Sequence, residues 1–340
     1  MNLVHGIYKV LSFRGRVFGL NTPPPKVRRI SRRDNRLSLW RDLDLVEAHV
    51  REGRFQRSLA LVAGLSSILA GAEVAYEHYR GSYGQKIMYT PVILSVAMSI
   101  SGVWGAFNRK AARGVLRWVS VVTLTDGLVG FCFHIRGVAR KPGGWRLPVT
   151  NIIMGPPVFA PLLFGVSAYL GILASFLRPE EAPAEGTKWP LNLIHLWRVR
   201  KPPLASEIRQ GRYQKHLAGV TILGTFFSGS EALYSHYKNN FQYGSQWTPV
   251  LLSPLLMGSA AGAIVNARAA RTVLPLFSLL AMLDGAIGFA FHVRGVWRRS
   301  GGPKKLLYNI VYGPPIFAPL LFAACGFVGL LASMMRREKP

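Results

Sequence analysis

The chain has 340 residues, half of them apolar, and a formal net charge of +27. The apolar residues gather in eight blocks of roughly 19–23 residues, each long enough to cross a bilayer as a helix, and most lack the polar face that a soluble helix of that length carries. The charge is read as topology and attraction to anionic lipid; nucleic acid is excluded as a partner because no aromatic platform interleaves with the basic runs.

In chain order, residues 1–52 form a basic segment that includes Arg28, Arg29, Arg32 and Arg33. No apolar stretch follows Arg32-Arg33 until after residue 57, so the pair is not a twin-arginine signal, and no cleavable signal pattern is visible. Leu39-Trp40-Arg41 opens a lead-in expected to lie on the membrane as an amphipathic helix. Residues 53–178 then form a first four-helix unit, with spans expected at 58–79, 89–107, 114–134 and 156–177. Thr90-Pro91 opens the second span, Thr as N-cap and Pro in the first turn. Arg109, Lys110 and Arg113 join the second span to the third. Gly155-Pro156-Pro157 reads as the start of the fourth, with Asn151 in the preceding loop and a kink expected at Pro161.

A basic linker, residues 179–210, carries Arg198, Arg200, Lys201 and Arg209 and a second lead-in, Leu196-Trp197-Arg198. Residues 211–336 form the second unit, with spans at 216–237, 247–265, 273–292 and 314–335, and the chain ends on Arg336, Arg337 and Lys339. If spans alternate, both termini and the linker fall on one side, which the positive-inside rule makes cytoplasmic. A multi-pass protein of a bacterial-type inner membrane is expected. The loops after the third and seventh spans, holding Arg136, Arg140, Lys141 and Arg146 and then Arg294, Arg298, Arg299, Lys304 and Lys305, are basic too. Either they dock an anionic partner outside, such as a periplasmic redox protein, or they reflect a weak bias that the other loops override.

The two units are one sequence written twice. At a constant offset of 158 residues Glu73 falls on Glu231, His78 on His236, Asp126 on Asp284 and His134 on His292. The stretch from Gly155 to Phe164, GPPVFAPLLF, falls on GPPIFAPLLF, Gly313 to Phe322. No gap is needed, and more than two positions in five are identical. Repeats of an even number of spans share one orientation and are expected to be related by a two-fold axis along the membrane normal. The fold class is an all-α membrane protein of eight transmembrane helices in two tandem four-helix repeats.

Apolar positions have drifted between the copies, while a few polar ones have not. Glu73 sits about 7.5 Å deeper than His78, and Asp126 about 12 Å deeper than His134, at 1.5 Å per residue. The two histidines share a depth near the outer end of one bundle, with Arg136 just beyond. Ionisable groups in spans are expensive and face a bundle interior or cavity, so Glu73, Asp126, Glu231 and Asp284 are candidate proton-handling residues. Asp126, Gly130, His134 and Gly137 share one helical stripe, which lets another helix or a flat cofactor approach closely. Glu73 and His78, five apart, do not clearly share a face. Cys132 and Cys325 face Ala290 and Ser167 in the other copy, which argues against a disulfide or a metal-ligand role.

Three chemistries fit. The leading expectation is haem b in each repeat, between His78 and His134 and between His236 and His292, with Arg136 and Arg294 near the propionates. The protein would pass electrons between a periplasmic partner and quinone. A second is a non-haem transition metal on the same four histidines, with Glu73, His78 and His134 as one possible ligand set, in an intramembrane metal-dependent enzyme. A third is proton-coupled transport or a channel, with the carboxylates as carriers and the histidines as relays. A structural subunit that binds nothing is the plain alternative. No GxSxG, HExxH or P-loop signature is present.

Overall fold

The computed structural model of the chain describes residues 55–177 and 212–335. The basic N-terminal segment, the linker and both lead-in segments lie outside the described residues. All regular structure among those described is helical. The first half contains α1 (Gln56–Arg80), α2 (Thr90–Phe107), α3 (Arg109–Ala139), a short α4 (Pro148–Ile153) and α5 (Ala160–Phe176). The second contains α6 (Arg212–Lys238), α7 (Thr248–Val265), α8 (Ala267–Trp297), a short α9 (Leu306–Val311) and α10 (Ala318–Met335). In the first half α1 and α3 each pack on both α2 and α5, closing a ring of four. In the second, α6 and α8 each pack on α7 and α10 in the same way. The halves meet where α1 packs on α10 and α5 on α6.

Six of these helices are long and apolar enough to cross a membrane: α1, α2 with the turn before it, α3, α7, α8 and α10. The chain is an all-helical, multi-pass membrane protein on that length and composition. α5 is shorter, at 17 residues, and α6 is not among the six. Both lie on the seam between halves, where a helix meets protein more than lipid. There α6 carries Thr221, Thr225, Ser228, Ser230 and Glu231.

Side chains are distributed in the manner a bilayer dictates. The outer faces of α2, α3, α7 and α8 expose large apolar groups such as Ile93, Ile100, Trp104, Trp118, Leu128, Leu251, Leu276 and Ile287. The interior of α1 is built from Ala60, Ala63, Gly64, Ser67 and Ala70. Lipid is as apolar as leucine, so close backbone packing through small residues takes over the task that hydrophobic burial performs in water. Gly102 on α2 shows this: a Cβ there would stand 2.7 Å from the Ala60 carbonyl oxygen of α1.

Several expected boundaries move. The third span begins at Arg109 rather than 114, so Arg109, Lys110 and Arg113 lie in its first turns and not in a loop. A single residue, Asn108, separates α2 from α3. Its Oδ1 accepts from the backbone N–H of Lys110 at 2.9 Å and of Ala111 at 3.1 Å, capping the new helix. Asn266 does the same between α7 and α8 through Arg268 N–H at 2.8 Å. A π-helical turn over Ala112–Leu116 follows in α3. The fourth span begins at Ala160, not at Gly155-Pro156-Pro157. Pro161 therefore occupies the first turn, where a missing N–H leaves no helical bond unmade, and the kink expected there does not arise.

Candidate functional site

The ends of α1 and α3, the starts of α2 and α5, and α4 all lie at one end of the first bundle, and the corresponding elements at the same end of the second. The segment Gly155–Phe159 is central to the first of these ends. His134 donates from Nδ1 to the Pro157 carbonyl at 2.6 Å. The glycine stripe of α3 receives the segment and the first turn of α5. A Cβ on Gly137 would stand 2.9 Å from Pro156 Cγ, one on Gly130 3.2 Å from Pro161 Cβ, and one on Gly127 2.7 Å from the Pro161 oxygen. In the second half His292 donates to Pro315, and Gly285, Gly288 and Gly295 face Pro319, Pro319 and Pro314. The stripe thus lets a neighbouring helix approach. It does not provide a slot for a flat macrocycle, and the haem expectation loses that support.

His78 closes a different turn. Its Nδ1 donates to the Met88 carbonyl at 2.7 Å, and the Tyr83 N–H donates to the His78 carbonyl at 2.9 Å. His236 repeats both bonds, to Gln246 at 2.7 Å and from Phe241 at 3.0 Å. The turns use left-handed backbone at Ser82 and Tyr83, and at Asn240 and Phe241. Stacked rings pin them, Tyr83 on Tyr89 and Phe241 on Trp247 with centroids 4.2 and 3.9 Å apart. All four matched histidines therefore spend Nδ1–H on a backbone carbonyl. That bond sets the tautomer and leaves Nε2 as the open nitrogen. His78 lies within electrostatic range of Asp126 and of His134, without the three gathering as a ligand set. His236 stands the same way to Asp284 and His292.

Asp126 meets α2. Thr90 Oγ1 lies 2.6 Å from Asp126 Oδ1 and 2.8 Å from the Ile87 carbonyl. Thr248 Oγ1 lies 2.5 Å from Asp284 Oδ1 and 2.9 Å from the Ser245 carbonyl. A hydroxyl has one proton to give, so it can donate to only one of its two neighbours at a time.

The glutamates stand apart from these residues, because each reaches into the opposite half. Glu73 Oε1 accepts from the N–H of Phe317 at 2.8 Å and of Ala318 at 2.7 Å, at the start of α10. Glu231 Oε1 accepts from Phe159 N–H at 3.1 Å, at the start of α5. A carboxylate at a helix N-terminus satisfies orphan donors and meets the positive end of the helix dipole. The helical offset between Glu73 and His78 has this consequence: the two side chains serve different neighbours. The ligand set Glu73, His78 and His134 is therefore not assembled, and among the described residues no three His, Cys, Asp or Glu side chains gather as metal ligands. Arg136 and Arg294 are both exposed.

No known protein family, curated protein or solved structure matches this chain.

The site includes residues that the sequence does not single out. Thr90 and Thr248 read as N-caps, yet their hydroxyls turn to the aspartates. At the opposite end of each bundle, away from the site, Gln56 and Gln214, buried and identical between halves, donate from Nε2 to the Gly105 and Ala263 carbonyls at 2.9 and 3.5 Å. Asn151 donates to the Pro142 and Gly144 carbonyls at 3.0 and 2.7 Å, holding the basic loop, as Asn309 does for Ser300 and Gly302. The identity of these residues in both copies is the signal that could have found them. Across the seam, an apolar groove of about 440 Å³ is lined by Tyr76, Tyr79 and Tyr83 of the first half and Leu307, Ile316 and Phe317 of the second.

Proposed function

We propose that this is an inner-membrane protein of eight spans, built as two same-orientation four-helix repeats over residues 53–178 and 211–336, that moves protons, alone or with a solute, through two equivalent sites. Both termini and the linker are cytoplasmic in this reading, and the histidine ends face outward. The observation that carries it is the twice-repeated Asp–Thr–carbonyl arrangement. When the Thr90 hydroxyl donates to Ile87, Asp126 must supply the proton shared between Asp126 and Thr90, and so is neutral. When Asp126 is ionised, the hydroxyl turns to it. The two proton states differ by one hydroxyl rotation, and a neutral carboxyl is the form a bilayer tolerates. His78 and His134, each with Nε2 open, extend the path from Asp126 towards the outer rim.

The test is acid-driven proton uptake into vesicles holding the purified protein. Asp126→Asn with Asp284→Asn should abolish it. Thr90→Val with Thr248→Val should slow it about 10- to 100-fold, the scale of losing an outer hydrogen-bond partner of a site residue, and Ser at both positions should restore it. Uptake unchanged in the double Asn variant would sink the reading.

A second reading, haem b or another transition metal held by the histidine pairs in a redox subunit, is favoured by one observation: Nδ1–H bonded to a backbone carbonyl with Nε2 open is the arrangement of a ligating histidine. The groove lined by tyrosines would then suit quinone, and the basic loops a periplasmic partner. An absorption spectrum, before and after dithionite, separates the two. A Soret band lost in His134→Ala with His292→Ala would establish the second reading.

A further inference from the structure

We infer that one histidine of each half is held in position by the opposite half of the chain: Glu231 is a positioning residue for His134, and Glu73 for His292. The link is short. His134 donates to the Pro157 carbonyl, and Phe159, two residues on, donates to Glu231. The intervening backbone is stiff, because Pro156 and Pro157 fix their own φ. Phe159 is also clamped by α6, its ring 5.4 Å from Phe226 and 5.5 Å from Phe227 between centroids. Tyr234 of α6 donates to the Gly155 carbonyl at 3.4 Å. The carbonyl that orients His134 therefore sits in a segment gripped at both ends by the second half. The mirror arrangement holds for Glu73, Phe317, Pro315 and His292.

The connection is crossed, and this separates it from ordinary packing. A residue that only stabilises its own bundle would disturb the histidines of its own half. Glu231 should instead disturb His134, in the other half, and leave its own helix's His236 alone. The inference does not depend on what the histidines carry, since it concerns only where their rings are held.

The experiment is magnetic resonance of the full chain in lipid nanodiscs with ¹⁵N-labelled histidine. His134→Gln and His292→Gln assign the two Nδ1 signals by their disappearance. Glu231→Ala is expected to shift or broaden the His134 signal and leave His292 in place; Glu73→Ala is expected to do the reverse. Should either Ala variant fail to fold, Glu231→Gln and Glu73→Gln keep an acceptor oxygen and should give the same crossed pattern with a smaller displacement. A change confined to the histidines of the mutated half, an equal change in both halves, or no change at His134 and His292 overturns the proposal.

Discussion

At the scale of single residues, polar identity between the two copies marks positions without revealing what each one meets. Asp126, His78 and His134 are visible as polar positions that do not drift, and all three lie on the helices that meet at one end of the bundle. Glu73 carried the same signal, but its target is 244 residues away on the other half. No local pattern announces a partner at that separation. The threonine of Thr90-Pro91 was misread for a different reason: a threonine before a helical proline has an ordinary capping explanation, and only the packing of α2 on α3 brings Asp126 to its hydroxyl. The glycines were legible as a place of close approach, not as to what approaches. Their packing against proline gives a direct test. Gly127→Val puts a side chain where Cβ alone would stand 2.7 Å from the Pro161 oxygen. It should destabilise the protein by about 1–3 kcal/mol, the usual effect of overpacking, read as an earlier unfolding transition in detergent. An unchanged transition would show that α3 and α5 are not packed as described.

At the scale of elements, the apolar blocks marked all eight long helices to within a few residues except where charge intervened. Arg109, Lys110 and Arg113 ended the apolar block and so hid the true start of α3. Charged residues can occupy the end turns of a membrane helix without ending it, since long basic side chains reach back to the interface. The cap was the better signal, for Asn108 and Asn266 are identical between copies and each stands directly before a helix. With one residue between helices, that cap also has to hold the turn. Asn108→Ala should cost about 1 kcal/mol, and Asn108→Gly only a few tenths. Both can be read from denaturant-induced unfolding of detergent-solubilised protein. Equal losses in the two variants would mean the side chain is not acting as a cap.

At the scale of the whole molecule, the ring order of each bundle follows from short connections, while the way the bundles join does not. Of the four seam helices, α1, α5, α6 and α10, two, α5 and α6, are not among the six long apolar helices. A window that looks for lipid-facing sequence undervalues helices that face protein. Seam helices also carry the carboxylates that cap across it. Residues 1–178 expressed alone should consequently self-associate, because Glu73 and the start of α5 are then left without partners except in a second copy. Sedimentation in detergent should show a dimer for the native sequence and a shift towards monomer for Glu73→Ala. A monomer in both cases would contradict the reciprocal seam.

The crossed glutamates also bear on descent. A four-helix unit that existed before the duplication, if it already held this glutamate, could have satisfied it only by pairing with another copy of itself about a two-fold axis, the commonest closed symmetry of protein oligomers. Fusion would then have made permanent a partnership that already existed. It would also have freed most of each copy to diverge, but not Gly-Pro-Pro-x-Phe-Ala-Pro-Leu-Leu-Phe, since a change there is felt by one helix from each parent.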